Sequence, residues 1–339
     1  VTDVLVFDIG SSLNVINVNQ VTVGQLLVMN NTHLKLSPSS GNPKVISIEG
    51  DGDIHDFISP SGPLEVSDVK YNEYMNSGTS DTQIDIPTQK YKEYEFSGSN
   101  QESNDLATVK YDEYKNPPQM GMGDKRMADV DSNPYLDNDL TIEAGSSITI
   151  NGTDPNLCIY IKHNASAAVF GSLIFTGESS HTINSFDTYS ITFKAGSSLV
   201  QSCLGHAFSN TGINNAVVFE KGSTFQVNHT GALDPFAMSE PSSKVKFERG
   251  SNIVFNSSNS LALRMNGRNY SNLIVGNNCN IDVQENFASN IDIDNIVINT
   301  GAILSINNLT SASQPSLNLK GNILVNGTLR FQQNEHNKI

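Results

Sequence analysis

The densest group of chemically versatile side chains lies at residues 51–56, which read Asp-Gly-Asp-Ile-His-Asp. Carboxylate oxygens are the ligands that Ca²⁺ prefers, so Asp51, Asp53 and Asp56 form a candidate cation site. Asp53, His55 and Asp56 would also supply the acid and the base that a hydrolase or lyase needs. A solvated acidic turn explains the same residues, and we favour it. Apart from this candidate calcium ion, no cofactor is expected.

A tyrosine repeat is the second group. The pattern Lys-Tyr-x-Glu-Tyr occurs three times at a spacing of 20 residues, and its tyrosines are Tyr71, Tyr74, Tyr91, Tyr94, Tyr111 and Tyr114. Tyrosine combines a flat apolar ring with a polar hydroxyl, which suits the recognition of a glycan or a protein surface. The plainer interpretation is a solvated excursion from the fold, and disorder is disfavoured because disordered segments are poor in aromatic residues.

Other chemistry is less well supported by the sequence. Asp282, Asp292 and Asp294 form a weaker set of carboxylates, which we expect on a solvated outer face. The histidines are dispersed and are not expected to be catalytic; they include His33, His163, His181, His206, His229 and His336. The chain contains no G-x-S-x-G, H-E-x-x-H, phosphate-loop or calcium nonapeptide motif. We therefore predict that the protein is not an enzyme.

The charge of the chain restricts its partners. The net charge is −15, and residues 51–139 hold 19 acidic and 7 basic side chains, so most of the acidity lies in one segment. Nucleic acid is excluded as a partner because binding it requires Lys and Arg to neutralise phosphates. No apolar run reaches the roughly 20 residues that span a bilayer, so no membrane span is expected.

The three cysteines, Cys158, Cys203 and Cys279, lie far apart without a C-x-x-C pair. This spacing argues against a zinc site or a disulfide scaffold. We expect them to act as small buried hydrophobic side chains.

A glycine repeat indicates the elements that would position these groups. The repeated glycines are Gly145, Gly171, Gly196, Gly222, Gly250, Gly276, Gly301 and Gly327, at spacings of 25 to 28 residues. Apolar residues alternate with polar ones on both sides of these glycines, which is the period of a strand. The pattern therefore predicts that each unit contains a strand, a turn, a second strand and a less regular return segment. The glycines should be aligned in one column.

A unit of this size cannot bury its own apolar face, but stacked units can. The fold class predicted is therefore all-β: a right-handed parallel β-helix, or β-solenoid, with rungs of about 26 residues. Phe193, Phe219, Phe247, Val227 and Phe255 should point into the coil.

Three parts follow along the chain. Residues 1–53 hold the opening rungs, 54–137 form an inserted acidic segment with the tyrosine repeats, and 138–339 form the regular β-helix.

Several stretches resemble repeat-rich surface proteins of the Bacteroidota. They include GHAFSNTGINNAVVFEKGSTFQVNHTGALDPFAMSEPSSKVKFERGSNIVF from Gly205 and MNGRNYSNLIV from Met265. The runs VGQLLVMNNTHLKLSPSSGNPKVISIEGDGD and LTIEAGSSITINGT look like opening rungs of the same family. The resemblance implies export by the type IX secretion machinery and display at, or release from, the cell surface. Such proteins usually end in a C-terminal sorting domain, and because no such pattern is recognised after Phe331 we expect the chain to be a fragment of a longer protein.

The sequence thus predicts a secreted, cell-surface protein with a structural or adhesive role. The alternative is a carbohydrate-active β-helix enzyme, a polysaccharide lyase or hydrolase. Clustered carboxylates with Lys or Arg along one face of the coil would favour the enzyme, but the charges do not recur from rung to rung.

Overall fold

The computed structural model describes residues 4–50, 138–208, 213–228, 236, 244–257, 260–263, 269–283, 291–307 and 317–332. These residues contain strands and turns and no helix. The strands are β1 (Val4–Phe7), β2 (Ser12–Val18), β3 (Val21–Val23), β4 (Gln25–Val28), β5 (His33–Pro38), β6 (Lys44–Ile48), β7 (Leu140–Ile142), β8 (Ser147–Gly152), β9 (Leu157–Ile161), β10 (Ala167–Val169), β11 (Ser172–Gly177), β12 (Thr182–Ser185), β13 (Ile191–Phe193), β14 (Ser198–Ser202), β15 (Val217–Phe219), β16 (Thr224–Val227), β17 (Val245–Phe247), β18 (Asn252–Phe255), β19 (Ser260–Leu263), β20 (Asn269–Val275), β21 (Asn280–Val283), β22 (Ile291–Ile298), β23 (Ile303–Asn307), β24 (Leu317–Leu319), β25 (Ile323–Val325) and β26 (Thr328–Gln332).

The strands form four parallel sheets stacked as a solenoid of about 8 turns, which confirms the fold class. The first sheet has the order β1-β4-β7-β10-β13-β15-β17, and the second has β2-β5-β8-β11-β14-β16-β18-β20-β22-β24, with β25 also on β22. The third sheet has the order β12-β9-β6-β3 and the fourth β19-β21-β23-β26. Successive strands of one turn thus lie in different sheets, and each pairs with its equivalent in the next turn. The right-handed sense of the coil stays a prediction.

The coil continues across the stretch that the structure does not describe. β4 pairs with β7, β5 with β8 and β6 with β9, so strands before residue 51 pair with strands after residue 137. The predicted opening rungs and the predicted regular β-helix are therefore one solenoid. The predicted insert, 54–137, lies outside the described residues.

Aromatic rings fill the interior of the coil. Phe193 stacks on Phe219 with ring centroids 4.5 Å apart, Phe219 on Phe247 at 5.1 Å, and Phe247 on Tyr270 at 6.2 Å. Parallel in-register pairing places the three phenylalanines at the same strand position of successive rungs, and Tyr270, from β20 of the second sheet, continues the column. The predicted burial of Phe193, Phe219, Phe247, Val227 and Phe255 is confirmed.

The corner between the first and second sheets is a tight turn with a left-handed third residue. Gly145, Gly196, Gly222 and Gly250 take φ of +83° to +91° there, and the residue after each donates its N–H to a carbonyl three residues back. Glycine takes this conformation without steric cost, which explains why it recurs. The N–H of Gly196 donates to the Gly222 carbonyl (3.1 Å) and that of Gly222 to the Gly250 carbonyl (2.9 Å), so these corners do stack.

The prediction of a single glycine column is wrong after Gly250. β18, which follows Gly250, pairs with β20, which precedes Gly276. Gly276, Gly301 and Gly327 therefore lie at the corner between the second and fourth sheets. The physical reason is that β20 and β22 run on for 7 and 8 residues without a turn signal, so the earlier corner disappears.

Rung length varies along the coil. Hydrogen-bonded partners in neighbouring rungs are 26 residues apart at Ser172 and Ser198, but 20 apart at Asn252 and Asn272.

An amide ladder runs along the second sheet. Asn252 donates to Thr224 (3.4 Å), Asn272 to Asn252 (3.0 Å) and Asn295 to Asn272 (2.7 Å), and the backbone N–H of Asn322 donates to Asn295 (2.9 Å). Each side chain is both donor and acceptor, as an amide permits. The richness of the chain in Asn thus has a structural use.

Candidate functional site

The site residues predicted from the sequence lie outside the described residues. They are the candidate binding residues Tyr71, Tyr74, Tyr91, Tyr94, Tyr111 and Tyr114 and the candidate calcium ligands Asp51, Asp53 and Asp56. Both sets stay predictions. In the part of the chain that the structure describes, no three His, Cys, Asp or Glu side chains come together as a metal site.

The weaker carboxylate set is not brought together. Asp282 is on β21 in the fourth sheet, whereas Asp292 and Asp294 are on β22 in the second. Asp292 accepts a hydrogen bond from Asn318 (2.9 Å) and pairs with Lys320 (3.0 Å); both contacts lower the pKa of its carboxyl. These bonds join neighbouring strands, which is a structural use.

A group of surface residues that the sequence analysis did not single out lies where the third sheet turns towards the first. We call it the corner cluster, and its members are Tyr160, Lys162, His163, Phe186, Asp187 and Tyr189. β9 and β12 are parallel neighbours in the third sheet, with Tyr160 opposite Asn184. The residues that end these two strands and follow them therefore share one edge of the coil.

The aromatic part of the corner cluster presents ring faces and edges at the surface. The rings of Tyr160 and Phe186 meet edge to face, with centroids 5.6 Å apart, and Phe186 is 48% exposed. The ammonium group of Lys162 lies 5.4 Å from the centre of the Tyr160 ring. Tyr189 is 54% exposed, and Lys246 from β17 places its Nζ 5.1 Å from that ring. Such cation–π contacts hold the rings in place.

The polar part of the corner cluster is a histidine–carboxylate pair. His163 Nδ1 lies 2.6 Å from Asp187 Oδ1, and the backbone N–H of Asn164 donates to Asp187 Oδ2 at 2.5 Å. The Asn164 hydrogen bond lowers the pKa of the Asp187 carboxyl, burial opposes this effect, and the contact with His163 lowers the pKa further. Burial, and then the Asp187 charge, raise the pKa of the Tyr160 hydroxyl. The carboxylate is therefore ionised close to the Tyr160 ring.

Local backbone conformations set the positions of these side chains. The turn after β9 closes with a bond from the Ala165 N–H to the Lys162 carbonyl (3.1 Å), and Asn164 is left-handed (φ 66°). Asn adopts this conformation more readily than most residues. Tyr189 is also left-handed (φ 59°), which is uncommon for a bulky side chain and is typical of sites where geometry serves a function.

The corner cluster has the chemical groups of a sugar-binding surface. Exposed rings offer flat apolar faces, and the adjacent carboxylate, imidazole and ammonium groups offer hydrogen bonds to hydroxyls. Sequence reasoning missed it because its members do not repeat. Only the pairing of β9 with β12 shows that residues near 160 and residues near 186 are neighbours.

The cysteines and one histidine belong to the interior. Cys203 and Cys279 are buried, as predicted, whereas Cys158 is half-buried. Burial raises the pKa of all three thiols, which makes them poor nucleophiles. His181 is fully buried, its Nδ1 accepts the Leu157 N–H (3.1 Å), and burial lowers its pKa to about 4.

The described residues contain no helix that is long and apolar enough to cross a membrane. No protein family, curated protein or solved structure was found to match this chain.

Proposed function

We propose that this protein is a secreted, cell-surface β-solenoid with a structural and adhesive role, exported by the type IX secretion system. The observation that carries the adhesive part is the corner cluster, in which exposed rings directly follow a paired strand and lie beside an ionised carboxylate. A ligand that meets a rigid site loses less free energy to ordering the protein. The resemblance to surface proteins of the Bacteroidota supports the location and the route of export.

The ligand class that fits best is a neutral glycan. A sugar ring has an apolar face that packs on Phe186 or Tyr189 and hydroxyls that bond to Asp187, His163 or Lys162. The acidity of residues 51–139 disfavours an anionic glycan and favours a basic protein partner or cations at that segment.

A glycan panel tests this proposal. The wild type should bind at least one neutral glycan, and Phe186→Ala and Tyr189→Ala should each weaken that binding tenfold or so, which corresponds to about 1.4 kcal/mol. Phe331→Ala is the matched control, because Phe331 is 60% exposed and lies on β26, away from the corner cluster in the sequence and in the sheets. Equal binding by all four proteins would contradict the assignment of adhesion to the corner cluster.

One observation favours the alternative, a carbohydrate-active enzyme. The His163–Asp187 pair has the hydrogen-bond geometry of a base and the group that orients it, and it lies beside exposed rings. Incubation with uronic-acid and neutral polysaccharides decides between the two functions. Product formation that disappears in His163→Ala, or in Asp53→Asn or Asp56→Asn, would establish the enzyme and refute the non-catalytic role.

A further inference from the structure

A lysine and an asparagine meet in the interior of the coil. The Nζ atom of Lys244 lies 2.8 Å from the Oδ1 atom of Asn184, and the two residues are 60 positions apart. Lys244 is completely buried and Asn184 is 5% exposed. Lysine is almost never fully buried without a charged partner. Here, within the described residues, its contact is to a neutral amide.

Burial favours the neutral amine of Lys244. Burial lowers the pKa of the Lys244 side chain to about 8, and the charge of Cys158 raises this pKa to a smaller extent. An amine with such a pKa is partly unprotonated near neutral pH and has a free electron pair. Desolvated lysines become nucleophiles in this way.

We propose that Lys244 and Asn184 are joined by an isopeptide bond between Nζ and Cγ. The neutral Nζ attacks Cγ, the new C–N bond forms, and the carbonyl electrons move to Oδ1. A proton passes from Nζ to Nδ2, the Cγ–Nδ2 bond breaks, and ammonia leaves. The reaction changes no oxidation state and consumes no co-reactant, so the two side chains supply all of its atoms.

The geometry supplies the proximity of the two reacting groups that this reaction normally lacks. Two groups held in contact react as if at a very high concentration, because folding has already restricted their translational freedom. The same burial keeps water from competing for Cγ. Among the described residues, the Cys158 thiol is the titratable group whose charge acts on Lys244, and burial raises the pKa of this thiol, which makes it a poor competing nucleophile.

The bond would join separate rungs of the coil. Asn184 lies in β12 of the third sheet, and Lys244 directly precedes β17 of the first. β12 is followed by β13, and β13, β15 and β17 are successive neighbours in the first sheet, so the link would span about two turns. A covalent link between distant residues restricts the unfolded chain, as a disulfide does. It would hold these turns together under a pulling force.

The mass of the intact wild-type protein is the primary test. We expect it to be lower than the sequence mass by one ammonia molecule, and a proteolytic digest should contain one branched peptide that joins Lys244 to Asn184. Tandem mass spectrometry would locate the link. Full sequence mass after prolonged incubation at pH 9, where the amine is neutral, would overturn the proposal.

Variants distinguish the isopeptide bond from other reactions that release ammonia. Lys244→Arg and Asn184→Ala should both regain the full expected mass and give no branched peptide. Lys246→Arg is the control, because Lys246 lies on the same segment but is 42% exposed and pairs with Glu248; this variant should still lose ammonia. A succinimide at an Asn-Gly pair such as Asn151-Gly152 also loses ammonia, but it would persist in Lys244→Arg. Persistence there would refute the isopeptide bond.

Discussion

The aromatic column makes the interior of the coil sensitive to single residues. Phe219 is at its centre, stacked between Phe193 and Phe247 and in edge contact with Phe208. Phe219→Ala should lower the free energy of unfolding by about 3–5 kcal/mol, because it leaves a cavity that neighbouring strands cannot close. Urea unfolding monitored by circular dichroism measures the loss. Phe331→Ala, at an exposed ring, should change the free energy little; equal effects of the two variants would argue against a packed interior.

His181 gives the coil a dependence on pH. Its pKa is about 4 in the folded protein and 6.5 in an unfolded chain, so the unfolded state binds more protons between these values. Stability due to neutral His181 is therefore complete above pH 6.5 and decreases as the pH falls towards 4. Between pH 7 and pH 5 the loss should be about 1–2 kcal/mol.

His181→Asn isolates this effect, since an amide oxygen can accept the Leu157 N–H but does not titrate. The difference in unfolding free energy between pH 7 and pH 5 should be smaller in this variant than in the wild type. An unchanged pH dependence would show that other groups cause it.

At the scale of elements, the corner turns need glycine for its backbone conformation more than for a lack of room for a side chain. Gly196 has φ +83°, and an added Cβ would meet no atom within 4 Å. Gly196→Ala should therefore cost about 1–2 kcal/mol through the left-handed conformation alone. Gly196→Asn should cost less, because Asn31 and Asn278 already occupy left-handed positions in turns of this kind (φ 55° and 57°). Equal melting temperatures for Gly196→Ala and the wild type would contradict this account.

The same turns show how far the sequence predicts the elements. Alternating apolar residues and regularly spaced glycines sufficed to predict parallel strands, a solenoid and the buried phenylalanines. They did not reveal that Asn31 and Asn278 replace glycine, since Asn is frequent at many other positions. Nor did they reveal that a corner is absent in β20 and β22, because an absent turn leaves a strand pattern unchanged. Strand register, which decides the column to which a glycine belongs, is a property of neighbouring rungs.

The corner cluster was unpredictable for a related reason. Tyr160 and Phe186 belong to different rungs, and neither repeats in the sequence. The residues that repeat are those that every rung needs for its structure. A binding site on a solenoid is made from what one pair of rungs does not share with the others, so repeat analysis passes over it.

At the scale of the whole molecule, the coil should fold without residues 54–137. The pairs β4–β7, β5–β8 and β6–β9 join the strands on either side, so the deletion removes no described rung contact. We expect the deletion variant to keep its β-rich circular dichroism and its unfolding midpoint. Loss of the β signal would contradict this independence.

Binding by the same variant separates the two candidate adhesive regions. Binding that is lost on deletion belongs to the tyrosine repeats, whereas binding that survives deletion but is lost in Phe186→Ala belongs to the corner cluster. Binding unchanged by both variants would exclude both regions.

The chain leaves and returns to the coil at nearly the same place. The N–H of Gly50 donates to the Gly24 carbonyl (3.0 Å), and the Asp139 carbonyl accepts the Leu26 N–H (2.7 Å), so both ends of the undescribed stretch are anchored within two residues of β4. Such a position works as an insertion point: a guest domain with adjacent termini could be exchanged there in one genetic step. Evolution could then change what the protein displays while its scaffold stays constant, and the same position offers protein engineers a place to graft an antigen or an enzyme.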